Sequence, residues 1–190
     1  MAWFLVVSFL LIAWAGGYFC VKSRQVPNDF ADLAEIERTL RKLAPKIYWC
    51  KYLEPIESYG MKLADQFQGI QQSYRVSQEV LQTKFNPSEL TYERYASGIQ
   101  ATTLMLIDNL QKLVPLLETL EQNAQNKKTP PSALSERIEQ LFQLNAAGLD
   151  KFDQLIVSLS HIQNLEGPDE QTAQYLLNDL NSLIERAKHY

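Results

Sequence analysis

Apolar positions along the chain recur at helical spacing. Leu33, Ile36, Leu40, Leu43 and Ile47 follow one another at intervals of 3, 4, 3 and 4, which predicts an amphipathic helix. Pro27 and Asn28 precede it, with Asn28 as N-cap and Asp29 and Asp32 as acids at the positive end. Pro45 is expected to kink or divide this helix, since proline removes a backbone donor and clashes with the preceding turn. A second helix is predicted from near Pro55, with Leu53, Ile56, Gly60, Leu63, Phe67, Ile70, Tyr74, Ser77 and Leu81 on one stripe. Gly60 lies on that stripe and predicts the close approach of another helix backbone. The plainer reading is a tolerated glycine costing about 1 kcal/mol relative to alanine.

Several helix-start signals coincide at residues 85–90: Asn86 as N-cap, Pro87 at the first helical position, Glu89 reaching back as in a capping box, and Phe85 with Leu90 as a hydrophobic staple. The helix that follows carries Tyr92, Tyr95, Ile99, Leu106, Leu110, Leu113, Leu117 and Leu120, a kink at Pro115 and an Asp108–Lys112 pair one turn apart. Asn123 to Pro131 has no apolar period and reads as a loop. A fourth helix from near Ser132 bears Leu134, Ile138, Leu141, Gly148, Phe152, Leu155, Leu159 and Ile162 and is expected to stop at Gly167-Pro168. Tyr175, Leu176, Leu180, Leu183 and Ala187 mark a last one. No segment alternates with period two, so no sheet is predicted. The expected fold is all-α, an elongated antiparallel bundle of four to five helices over residues 26–190.

Residues 1–25 read differently. Ala2 to Val21 contain no charged side chain. Twenty residues at about 1.5 Å each reach roughly 30 Å, the thickness of a bilayer's hydrocarbon core, so residues 2–21 are predicted to be a single transmembrane helix. Trp3 and Tyr18 stand near its two ends. A cleaved signal peptide with Ala13-Trp14-Ala15 as its processing site is the competing reading, and the absence of Lys or Arg before the apolar run argues against it. Cys20 follows Phe19 rather than a small residue, which argues against a lipoprotein. The basic residues Lys22, Arg24, Arg38 and Arg41 all follow the span, so the N-terminus is expected outside and the helical domain in the cytoplasm, at the inner (cytoplasmic) membrane.

Composition narrows the chemistry. The 190 residues are 46% hydrophobic and 21% charged, in the ordinary globular range, with a net charge of -4. An acidic chain argues against nucleic acid as a partner. Two cysteines and two histidines are too few for a disulfide scaffold or an ordinary zinc site. A di-iron bundle needs Glu-x-x-His, whereas Ser158 stands three before His161 and Arg186 three before His189. The glycines are scattered and form no phosphate loop or nucleophile elbow. No catalytic, cofactor-binding or metal-ligating residue is therefore assigned, and no enzyme activity or cofactor is expected. Cys50 reads as a buried small hydrophobe, and an enzyme would need His161, Cys50, Asp108 and Glu89 to share a cleft. Tyr48, Tyr52, Tyr59, Tyr74, Tyr92 and Tyr95, with Arg75 and Arg94, outline a candidate stacking surface, although Tyr74, Tyr92 and Tyr95 lie on apolar stripes. The 17 glutamines, six of them between Gln66 and Gln82, leave polar helix faces with few fixed charges.

The stretch Lys84-Phe85-Asn86-Pro87-Ser88-Glu89-Leu90-Thr91-Tyr92-Glu93-Arg94-Tyr95, followed by Leu106-Ile107-Asp108-Asn109-Leu110, resembles segments of uncharacterised bacterial membrane-anchored helical proteins. The anchor-and-bundle layout is similar to that of accessory proteins of toxic-anion resistance and of membrane-anchored division regulators. These resemblances imply a helical fold and carry no site residues. The function expected is that of a non-enzymatic scaffold or regulator working through a protein partner or self-association at the cytoplasmic membrane surface. The alternatives are a sensor or carrier enclosing an apolar or lipid-like ligand among Phe67, Ile70, Ile99, Leu106 and Phe152, or an accessory factor of toxic-anion resistance.

Overall fold

Five helices make up the described part of the chain: α1 (Asp29–Cys50), α2 (Glu57–Lys84), α3 (Leu90–Gln125), α4 (Ser132–His161) and α5 (Pro168–Ala187). The computed structural model describes residues 29–52, 54, 56–126, 132–162 and 167–189, and no strand occurs among them. The predicted span at residues 2–21 and the N-cap Asn28 lie outside the described residues. Among the described residues no helix is long and apolar enough to cross a membrane. Contacts divide the chain into Met1–Glu35 and Ile36–Tyr190, and the packed core belongs to the second unit.

The stripes read from spacing are the buried faces. Ile36, Leu40, Leu43 and Ile47 of α1 are buried, as are Leu63, Phe67, Ile70, Tyr74, Ser77 and Leu81 of α2. Their contacts set the helix directions. Cys50 meets Gly60, whereas Leu40 faces Tyr74 and Gln78, so α1 and α2 run antiparallel. Gln66 Nε2 donates to the Phe142 carbonyl at 2.9 Å and Ser73 Oγ to Asp153 Oδ1, so α2 and α4 run parallel. Asn109 meets Asn145 while Gly148 faces Leu106, which sets α3 and α4 antiparallel. Tyr95 lies beside Glu170 and Gly98 against Leu177, so α3 and α5 are parallel. The helices thus alternate up and down, and α3 packs against α2, α4 and α5 and borders α1.

The structure corrects several local expectations. Pro45 does not divide its helix: α1 continues through it, as α3 continues through Pro115, and both prolines are exposed. On an outer face the missing donor leaves the carbonyl four residues back to solvent rather than to the core. Helix α3 begins at Leu90 with Glu89 as N-cap, four residues after Asn86. Asn86 instead caps a separate turn, its Oδ1 accepting from the Ser88 backbone N–H at 3.1 Å and the Ser88 hydroxyl at 2.9 Å. The Phe85–Leu90 staple does not form, because Leu90 is 72% exposed and Phe85 packs on the Tyr95 ring at 5.6 Å. Helix α3 also extends to Gln125, into the segment read as loop. Helix α4 ends at His161, and Pro168 opens α5 rather than closing α4, since its fixed φ and missing N–H suit a first helical position. Tyr175 is 65% exposed; Ala173, Leu176, Leu177, Leu180 and Leu183 form the buried face of α5.

Gly60 does sit where backbone meets backbone. A Cβ there would come within 2.1 Å of the Cys50 carbonyl oxygen and 2.8 Å of Lys51 Cα, neither of which can rotate away. At Gly69 the same atom would make ordinary contact, 3.5 Å from Leu149 Cδ1. Gly60→Ala should therefore cost about 1–3 kcal/mol through overpacking. Gly69→Ala should gain up to about 1 kcal/mol of helix propensity. Thermal unfolding of the two variants checks this: the melting temperature falls by several degrees in the first and holds or rises in the second.

Among the described residues the core contains one amide pair. Asn109 Nδ2 donates to Asn145 Oδ1 at 2.9 Å, and Asn145 Nδ2 donates to the Leu106 carbonyl at 3.3 Å, both side chains being fully buried. Asn145→Ala leaves the Asn109 amide only the weakly accepting Met105 sulfur at 3.3 Å and should cost about 1–3 kcal/mol. Replacing both asparagines with leucine removes the polar requirement altogether and should cost less than the single change, as measured by urea denaturation.

Candidate functional site

The residues that an enzyme would need are dispersed. His161 is exposed at the end of α4, Glu89 is exposed at the start of α3, and Asp108 forms its predicted ion pair with Lys112 at 2.8 Å. Cys50 is wholly buried. None of the four lines either of the two open grooves described below. Among the described residues no group of three or more His, Cys, Asp or Glu side chains could hold a metal. Phe67, Ile70, Ile99, Leu106 and Phe152, the expected lining of a ligand cavity, are fully buried core residues and also line neither groove.

What the fold does present is concentrated around α1. At its C-terminal end Tyr48, Trp49 and Tyr52 are 49%, 53% and 80% exposed. Tyr48 stands edge-on to Phe67 of α2, ring centroids 6.2 Å apart, so one side of this aromatic group is tied to the core. The adjoining Cys50 packs on Gly60, and Met61 beside it is also exposed. Helical spacing could have located this group, since positions 48 and 49 fall off the Ile36–Ile47 stripe. Of the other tyrosines, Tyr59 stacks on Phe142 with centroids 6.0 Å apart, and Tyr95 is buried, so the six do not form one surface. Arg94 is exposed on α3, and Arg75 lines a groove on α2.

Two open grooves flank α1. The one shared with α3, about 530 Å³, is walled by Lys42, Lys46 and Glu118 over Leu43 and Val114. The one shared with α2, about 400 Å³, has Glu37, Leu40 and Arg41 on one wall and Gln71, Tyr74, Arg75, Gln78, Glu79 and Gln82 on the other. Arg41 pairs with Glu37 at 2.8 Å. Arg75 and Glu79 have no ion pair among the described residues. Tyr74 is 7% exposed, and its hydroxyl meets no hydrogen-bond partner among the described residues. Burial first, and the charge of Glu37 second, push its pKa up to about 12. It therefore remains an O–H donor throughout the physiological range. The sequence gives no sign of this, because an apolar stripe marks where a ring goes and not whether its hydroxyl finds a partner across the helix pair.

Cys50 has the environment of an inert thiol. Burial, then the negative charges of Glu118 and Glu121, raise its pKa to about 11. The thiolate is the reactive form, so alkylation of Cys50 at pH 8 should run about a hundredfold or more slower in the folded protein than in denaturant. Site-resolved mass spectrometry after timed iodoacetamide treatment checks this, and rapid labelling of folded protein would contradict the packing described. No protein-family model matches this chain, and no curated protein or solved structure is detectably similar to it.

Proposed function

We propose that this chain is a single-pass membrane protein of the inner (cytoplasmic) membrane, held by residues 2–21 with its N-terminus outside, whose cytoplasmic bundle is a non-enzymatic scaffold or regulator. On this reading it works by binding another protein, and the surface that does so is the exposed aromatic end of α1. The single observation that carries the proposal is the display of Tyr48, Trp49 and Tyr52 to solvent within five consecutive positions. Tyrosine and tryptophan dominate the binding energy of protein interfaces, because they bury large area at small entropic cost.

The test is a crosslinked pull-down of the intact, C-terminally tagged protein from native membranes, with a form lacking residues 1–25 as control. Trp49→Ala and Tyr52→Ala should each reduce recovery of the partner substantially. A residue worth about 2 kcal/mol corresponds to roughly thirtyfold in affinity. Both variants should keep the wild-type circular dichroism and melting temperature, since the side chains are mostly outside the core. Recovery at the wild-type level by both would remove the aromatic end from the interface.

A further inference from the structure

Cationic side chains are spread unevenly over this bundle. Lys62, Lys112, Lys151 and Lys188 pair with the carboxylates of Glu139, Asp108, Asp179 and Glu185 respectively. Helix α1 is different. Residues 38–51 hold five basic side chains, Arg38, Arg41, Lys42, Lys46 and Lys51, and no Asp or Glu, in a chain whose net charge is -4. All five are exposed, and of them only Arg41 has an ion pair among the described residues, with Glu37. Arg38, Lys42 and Lys46 follow one another at intervals of four, so they form one line along the outer surface of the helix. Like charges at that spacing repel, and no carboxylate among the described residues pairs with any of the three.

Lys42 and Lys46 also wall the α1/α3 groove, in which Glu118 is the one acid. Leu43 and Val114 at its floor are buried, so an anion would be held at the rim by the two ammonium groups rather than enclosed. An exposed line of cations on an amphipathic helix fits an extended sheet of anions better than a single ion, and anionic bilayers are bound in this way. Seven residues, 22–28, separate the predicted span from α1, a reach of at most about 25 Å. The rest of the chain is more acidic than the whole and is repelled by the same lipids, so the field turns α1 toward them. We propose that the line of Arg38, Lys42 and Lys46 rests on the anionic phosphodiester headgroups of the bilayer that anchors the chain. The inference rests on the proposed anchorage by residues 2–21. It leaves the aromatic end to the protein partner: Trp49 stands three residues past Lys46, and the lipid contact ends where that surface begins.

The test uses the full chain reconstituted into vesicles of phosphatidylcholine alone, or of phosphatidylcholine with about 30% phosphatidylglycerol. A membrane-impermeant amine-acetylating reagent is applied for timed intervals, and labelling at each lysine is read by mass spectrometry. Relative to Lys188, Lys42 and Lys46 should label at least about fivefold more slowly in the anionic vesicles than in the neutral ones, since each basic residue near an anionic surface contributes roughly fivefold in binding. The difference should vanish in about 1 M NaCl, where charges are screened within about 3 Å. In the double variant Arg38→Gln, Lys46→Gln, Lys42 should label in anionic vesicles within about twofold of its neutral-vesicle rate, with circular dichroism unchanged, because both side chains are exposed. Trp49→Ala should keep the protection. Equal labelling in the two vesicle types, or protection that survives the double variant, overturns the proposal. So does loss of protection in Trp49→Ala, since the aromatic end would then be the lipid contact. Extraction of the chain by alkaline carbonate overturns the anchorage and this inference with it, whereas a retained chain with equal labelling overturns this inference alone.

Discussion

The arrangement depends on helix α3 being enclosed on most of its circumference. Its fourteen buried residues include the neighbouring sets Thr102-Thr103, Met105-Leu106-Ile107, Asn109-Leu110 and Leu113-Val114, too broad a distribution for a single stripe. A helix buried this way has to be met from several directions, and α2, α4 and α5 pack on it while α1 borders it across a groove. Each outer helix can keep a polar face because α3 supplies the apolar surface that the others share. That division of labour explains how a chain with 21% charged residues builds an apolar core and still exposes glutamine-rich faces.

Enclosure makes every polar atom on α3 a problem to be solved locally. Thr102 and Thr103 return their hydroxyls to carbonyls one turn back, which needs no help from another helix. Asn109 finds only the Met105 sulfur one turn back, at 3.3 Å, and also reaches across to Asn145, and that pair ties α3 to α4 at one register. Gln66 does the equivalent between α2 and α4 by donating to the Phe142 carbonyl. Polar groups at helix junctions of this kind select one packing over its slipped neighbours more than they add stability.

The apolar stripes were legible in the sequence because a period of 3.6 is a property of each helix alone, and from Ile56 to Leu81 every position read from spacing is buried. Gly60 was legible for a related reason: a residue without a side chain on a core stripe has few uses other than a close approach. The start of α3 was not, since Asn86 is as good a cap for a turn as for a helix, and the backbone beyond it decides between them. Pro168 carries the same ambiguity, stopping one helix or starting the next. Met105, Ile107 and Val114 fall off the stripe read from spacing and are buried only because α3 is met from more than one side. The two grooves are properties of helix pairs and have no local signature at all.

The contact between Cys50 and Gly60 bears on how the end of α1 meets another molecule. Main chain rests directly on main chain there, with no flexible side chain between to absorb displacement. Trp49 and Tyr52 flank that junction, and Tyr48 beside them is propped on Phe67. The main chain that carries these rings has little conformational freedom left to surrender when they are covered. The backbone share of the entropy that opposes association is spent at folding, and such a surface favours a partner whose shape suits a fixed main chain over one that would have to be accommodated.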